Sequence, residues 1–184
     1  MKLIKQSDYK VMPWKNGKGI TAEIAKFPEA SAFPDGDFLW RLSSAKVDSS
    51  DPFSRFPNCD RLLVVWKGQG LLLNEVPLLP EQPHLFNGED SIYARLLNGP
   101  VVDVGLIYRR DKVSAQMTTE RLSGGEKIEK VNRGTLIIFC AEGCLQAGDL
   151  VLHTGDSLCV DDAEHVLLKA AETSVYFSMD LRIL

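Results

Sequence analysis

Apolar residues in this chain come in short runs bounded by Gly, Pro, Asn and Asp clusters, and helical periodicity is nearly absent. A surface helix needs an apolar stripe recurring every three or four residues, whereas runs of roughly four to eight residues between turn formers mark strands. The chain is therefore expected to be all-β. The best strand candidates are residues 19–25, 38–47, 62–66, 70–73, 93–97, 101–108, 134–140, 149–152, 157–160, 165–169 and 175–181. So many strands exceed what one small barrel needs.

The chain also resembles itself. A shift of 73 residues lays Leu63-Val64-Val65-Trp66 on Leu136-Ile137-Ile138-Phe139 and Gly70 on Gly143. Held constant, it brings Leu78-Leu79 to Val151-Leu152, Leu85 to Leu158, Tyr93-Ala94 to Val166-Leu167 and Arg109 to Arg182. Internal repetition at one offset points to two similar units in tandem. Within each copy, a strand, a Gly turn, an edge pair and a return strand fit a jelly roll. The turns at Gly148-Asp149 and Gly155-Asp156 are similar to those of small cupins. The expected fold is all-β, two tandem cupin (jelly-roll) barrels, a bicupin, with residues 1–110 in the first barrel and 111–184 in the second. Residues 112–133, polar and Gly-containing, read as the connection between them, with a crossover that pairs with the other half as the further option.

With 184 residues and 45% hydrophobic content the chain can build a core. Its 21 Lys and Arg against 25 Asp and Glu are interspersed without a basic run, which argues against nucleic acid or an anionic membrane surface as partner. No segment has the roughly 18 apolar residues of a membrane helix, and the N-terminus lacks a secretory apolar run, so the expected compartment is the cytoplasm. Cys59, Cys140, Cys144 and Cys159 form no CxxC pair and read as buried free thiols. A homodimer is compatible with the sequence.

Motifs for metal or covalent chemistry are missing. His84, His153 and His165 are isolated, without the HxH spacing of a metal-binding cupin, so neither metal nor cofactor is expected. Only His84 is retained as a possible ligand contact. GxSxG, P-loop and GxGxxG motifs are also absent, so no catalytic residue is assigned.

Polar and aromatic residues concentrate instead in the first third. Strand alternation puts Arg41, Ser43 and Ala45 on one face, opposite Phe38, Trp40 and Leu42, and places Thr21 with Glu23 opposite Ala22 and Ile24. Arg41 and Ser43 either line a barrel mouth or form a solvent-facing stripe. Residues 51–61 form a Pro-bounded loop with Phe53 and Phe56 that is either a packed surface loop or part of a site. Asp103 lies inside an apolar strand and needs a partner, since burying an unpaired carboxylate is costly. Arg41, Arg61, Arg109 and Arg110 are candidates, with a purely structural ion pair as the alternative.

Five ordered segments resemble the HutD/Ves family, bacterial bicupins associated with histidine utilisation or stress responses. Residues 12–24 follow its M-P-W-K-N-G-G-G-x-T-x-E-I opening with Lys18 for the middle glycine. Residues 38–45 follow F-x-W-R-x-S-x-A, and residues 51–61 follow G-P-F-S-x-F-P-x-x-D-R with Asp51 for Gly. Phe86-Asn87-Gly88-Glu89 is similar to F-x-G-D, and residues 97–110 resemble L-x-G-P-x-x-D-x-N-L-M-x-R-R with Gly105 for Asn. The resemblance implies a metal-independent bicupin whose first barrel holds a ligand pocket. By motif position its residues are Lys15, Asn16, Thr21, Glu23, Arg41, Ser43, Ser54, Arg61, Asp103, Arg109 and Arg110. The implied ligand is a small anionic intermediate of histidine breakdown, such as urocanate or formylated glutamate.

Three readings follow. The first is a non-catalytic, regulatory binding protein in which Arg41, Arg61 or Lys15 meets the ligand carboxylate while Asp103 or Glu23 orients those cations. The second is a metal-independent isomerase or hydrolase with Glu23 or Asp103 as general base. The third is an interaction module whose surface is formed by Trp14, Trp40, Phe53 and Phe56.

Overall fold

The computed structural model describes residues 1–14, 19–131, 134–161 and 165–184. Among them one short 3-10 turn, Gln6–Asp8, accompanies seventeen strands. In chain order these are β1 (Lys2–Ile4), β2 (Lys10–Pro13), β3 (Gly19–Phe27), β4 (Trp40–Val47), β5 (Asp51–Pro52) and β6 (Cys59–Lys67). There follow β7 (Leu71–Leu73), β8 (Val76–Leu78), β9 (His84–Asn87), β10 (Tyr93–Leu96), β11 (Val101–Arg109) and β12 (Val113–Lys130). The last five are β13 (Thr135–Glu142), β14 (Cys144–Ala147), β15 (Leu150–His153), β16 (Ser157–Asp161) and β17 (His165–Ile183). The chain divides into two compact units, Lys10–Val113 and a second made of Met1–Tyr9 with Ser114–Leu184. The fold is all-β, two tandem cupin barrels.

In the first unit a six-stranded sheet, β2-β3-β4-β11-β6-β9, packs on a four-stranded one, β5-β10-β7-β8. Val47, Leu63 and Val65 from the first meet Leu71, Leu73, Leu78 and Ala94 from the second in one apolar cluster. Burying each such side chain stabilises the sandwich by roughly 1.5–3 kcal/mol. Antiparallel register sets the inner face row by row. Thr21, Ala45, Asp103 and Val65 lie side by side; Glu23, Ser43, Gly105 and Leu63 form the next row; Lys26, Arg41, Ile107 and Arg61 the third.

The second unit is one seven-stranded sheet, β1-β16-β13-β17-β14-β15, with β12 also on β17. Its strands repeat those of the first unit in order: β13, β14, β15 and β16 take the parts of β6, β7, β8 and β9. Gly70 and Gly143 both turn the chain with left-handed backbones, φ 118° and 86°. A Cβ at either would meet Leu78 O at 2.7 Å or Ser174 Oγ at 2.5 Å, so glycine is required twice. The single offset of 73 does not persist, however. Gly105 lies opposite Leu63 and Asp180 opposite Leu136, so the return strand runs at a shift of 75 and Arg182 matches Ile107 rather than Arg109. The first copy breaks this strand between β10 and β11 at Asn98-Gly99-Pro100, where Gly99 is left-handed and Pro100 has no N–H; β17 has no such break.

Two stretches differ from the sequence reading. Residues 112–133, read as a connection, contain the 18-residue strand β12, whose polar sequence conceals the buried Val113, Met117 and Leu122. The first nine residues, assigned from sequence to the first barrel, belong to the second unit, where β1 pairs with β16. Of the four free thiols, Cys59, Cys140 and Cys159 are buried, whereas Cys144 points outward at the start of β14 and is exposed.

Asp156 holds the N-terminal segment. Its carboxylate accepts hydrogen bonds from Lys5 Nζ at 2.9 Å, the Gln6 amide at 2.9 Å and the His153 amide at 3.0 Å. Tyr9 Oη adds bonds to Gly155 O and Ser157 Oγ. Burial alone would raise the Asp156 pKa, but the bonds from Lys5, Gln6 and His153 outweigh it and hold it below the usual value. A depressed carboxylate contributes stability above its unfolded pKa and loses it as pH falls through the folded one. Asp156→Ala is expected to cost about 3 kcal/mol at pH 7 by urea unfolding, since several charged hydrogen bonds go at once, and the deficit shrinks below about pH 4. An unchanged midpoint at pH 7 would rule out this anchoring role.

Candidate functional site: the cavity of the first barrel

Small side chains in the middle of the inner face leave space in the first barrel. Ser43, Ala45 and Gly105 form the floor of a cavity of about 510 Å³, closed by Trp14, Phe53 and Phe56 and edged by Thr21, Arg41, Ser54, Arg61 and Asp103. A Cβ on Gly105 would come within 3.1 Å of Leu63 Cδ1, so glycine keeps this floor low. In the second unit the matching register positions for Arg61, Leu63 and Asp103 carry Gly134, Leu136 and Ser178. There Leu136, Ile138, Leu145, Leu158 and Tyr176 join a single apolar core.

Arg41 is only 6% exposed, an unusual burial for a guanidinium. Its Nε donates to Glu23 Oε2 at 2.8 Å, and its Cζ lies over the Phe33 ring, 4.4 Å from the centroid. Arg61, two strands away across Ile107, is surrounded by the rings of Phe53, Phe56 and Phe86 at 4.9 to 5.4 Å. It donates to the Ser54 carbonyl at 3.2 Å, and among the described residues no carboxylate lies within ion-pair distance of it. Burial lowers its pKa to about 10, against the opposing field of Asp103. Arg61 still carries its charge at neutral pH.

Asp103 is 5% exposed. Burial pushes its carboxyl up to about 7, and the field of Arg61 and the Ala45 amide counteract this only partly. None of the four arginines proposed as its partner makes a direct ion pair with it among the described residues. The nearest electrostatic influence is Arg61.

Of the residues singled out by sequence, the structure brings Thr21, Arg41, Ser43, Ser54, Arg61 and Asp103 together around the cavity. Glu23 stands behind Arg41 and orients it. Lys15 and Asn16, together with Lys18, lie outside the described residues. Arg109 and Arg110 are placed elsewhere, beside Asp37, Asn58 and Lys112 at a separate surface groove. Arg109 stacks on Phe38 at 4.9 Å, and Arg110 is taken up by Asp60, Glu89 and the Cys59 carbonyl. Their displacement follows from their position at the end of β11, beyond the last inner row. His84 stacks on Phe86 at 6.1 Å without lining the cavity.

The four aromatics read as a partner surface are divided between the core and the cavity. Trp40 is buried and stacks with Phe27, while Trp14, Phe53 and Phe56 turn toward the cavity. Sequence reasoning did not find Phe33, Asp51 or Ile107, which come from the segment between β3 and β4, from β5 and from the pleat of β11. Among the described residues no group of three His, Cys, Asp or Glu side chains is placed to hold a metal ion. No helix there is long and apolar enough to cross a membrane.

Fold and cavity define a cupin-type double barrel with a polar, arginine-edged pocket. A cupin 2 conserved barrel domain protein from Leptotrichia buccalis shares the fold at TM-score 0.57 and 9% identity, covering 93% of this chain and 92% of its own. The chain belongs to the HutD family, whose model matches residues 6–177. An uncharacterized 21.2 kDa protein in the hutC 3' region of Pseudomonas putida is 37% identical over 146 residues, 77% of this chain and 74% of its own. Protein Ves of Citrobacter koseri is 32% identical over 181 residues, 93% and 91% of the two chains. The structure of HutD from Pseudomonas fluorescens SBW25 matches at TM-score 0.78 and 29% identity, covering 98% of each chain.

The Asp103 carboxyl gives the site a measurable pH signature. Below about pH 4 it is protonated folded and unfolded; between about 4 and 7 only the folded state retains the proton; above about 7 both are ionised. Its contribution to stability therefore declines as pH rises across that window, by on the order of 4 kcal/mol in all. Asp103→Asn removes the slope. The stability of the variant relative to wild type should rise between pH 4.5 and about 7 and level off above it in urea titrations, and a constant difference would contradict this environment for Asp103.

Proposed function

We propose that this protein binds a small carboxylate-bearing metabolite in the first-barrel cavity, in a regulatory and non-catalytic role. The observation that carries the reading is the pair of guanidiniums in one cross-strand row, Arg41 and Arg61, both edging the same cavity. Strand spacing sets their Cα atoms about 9.5 Å apart, so two long side chains can converge on one small anion. Both guanidiniums lie over aromatic rings, and a guanidinium's remaining N–H donors suit bidentate carboxylate binding. Trp14, Phe53 and Phe56 supply apolar walls for a planar or short aliphatic body. The hut-linked names of the relatives support intermediates of histidine breakdown, urocanate and formylated glutamate, as the first compounds to try.

One observation favours an enzymatic alternative. A carboxyl titrating near neutrality inside a pocket is suited to proton transfer, and Asp103 is such a group. Glu23 is occupied by Arg41 and Lys26, which makes it a positioning residue and moves the base role to Asp103.

In a thermal-shift and calorimetric screen of urocanate, formylglutamate, glutamate and histidine, at least one acid is expected to raise Tm at millimolar concentration. Arg61→Met, which keeps the packing and removes the charge, should weaken that binding about 10- to 100-fold. NMR of the recovered ligand separates the two readings: an unaltered compound supports binding alone, and conversion abolished by Asp103→Asn supports the enzyme. The anion-site reading fails if no acid shifts Tm.

A further inference from the structure

Beside the first cavity lies a second, of about 450 Å³, lined by Lys10, Met12, Glu23, Lys26 and Phe33 and sharing Pro13, Trp14, Thr21 and Arg41 with its neighbour. The shared wall is fixed by a 2.7 Å hydrogen bond from Trp14 Nε1 to Thr21 Oγ1. Arg41 serves both sides: its guanidinium edges the first cavity while its Nε is held by Glu23 in the second.

A backbone irregularity builds this second chamber. Residues 23 and 26 would face opposite sides of a regular strand, but the register of β3 shifts between Glu23 and Ala25, so that Lys26 pairs with Arg41. Such a bulge re-aims a side chain and recurs beside binding sites. Here it puts Lys26 Nζ 3.6 Å from Glu23 Oε1, while Arg41 occupies Oε2. Two cations thus share one carboxylate, and Lys10, opposite Glu23 on β2, adds a third positive charge. The chamber carries excess positive charge next to one that already presents Arg61.

We propose that the two chambers form one bipartite site for a dianionic ligand, one carboxylate held by Arg61 with Arg41 and the other by Lys26 and Lys10. This rests on the anion-binding reading of the first cavity and adds to it a ligand with two separated negative groups. The wall residues Thr21 and Trp14 then lie alongside the middle of the ligand, and Arg41 bridges its two ends.

The test is calorimetry with straight-chain monocarboxylates of three to eight carbons and the dicarboxylates of matching length, on the wild-type protein and on Lys26→Gln, a partly exposed position that leaves the core intact. The expected result is a dicarboxylate of optimal length binding at least about tenfold tighter than its monocarboxylate counterpart. Lys26→Gln should remove that gain and leave monocarboxylate affinity within about twofold, with Lys10→Gln giving a smaller loss. Mono- and dicarboxylates that bind wild type equally, with binding still lost in Arg61→Met, overturn the bipartite site and leave the first cavity standing. Absence of binding by either series overturns both.

Discussion

The pleat of four neighbouring strands decides what the first barrel can hold. Once β3, β4, β11 and β6 pair in the observed register, every second residue is committed to the interior, and a slip of one residue would send the whole set outward. Two guanidiniums, a carboxyl and two hydroxyl side chains are thereby placed among apolar walls. Each is costly to bury alone. Glu23 and the rings of Phe33, Phe53, Phe56 and Phe86 offset part of that cost by neutralising or covering the arginines.

Much of this was legible from residue order. Alternation in residues 38–45 separates Arg41 and Ser43 from Trp40 and Leu42, and the structure keeps that division because β4 lies at the centre of its sheet. The repeat likewise reflects matching strands. Other features depend on events that alternation does not record. The bulge near Ile24 brings Lys26 to the face of Glu23, against simple parity. The strand β12 is hidden by its charged composition and by left-handed Gly124 and Gly125, and its partner β17 lies some 50 residues away in sequence. Arg109 and Arg110 match the family motif, yet the end of β11 delivers them to another surface.

Two barrels that share a run of matching strands have been furnished differently. The second is packed around Tyr176 and a run of fully buried aliphatics, whereas the first gives up part of such packing to keep Ser43, Ala45 and Gly105 small. Open volume forgoes dispersion contacts and apolar burial, so it persists against the gain in stability that filling it would bring. The apolar core of the other unit makes the contrast visible without an outside reference. At the register positions that match Arg61 and Asp103 the second unit carries Gly134 and Ser178, so those two groups are not repeated there.

The attachment of the N-terminal segment to Asp156 bears on how the chain is made. Residues 1–9 find their hydrogen-bonding partners only when residues 153–161 have been synthesised, about 150 positions later. Lys10–Val113 contains the pairings of its own two sheets and can assemble while synthesis continues. Residues 1–9 wait for closure of a loop of about 150 residues, whose entropy is overcome late. Residues 1–9 are thus made before the first unit and reach their place after it.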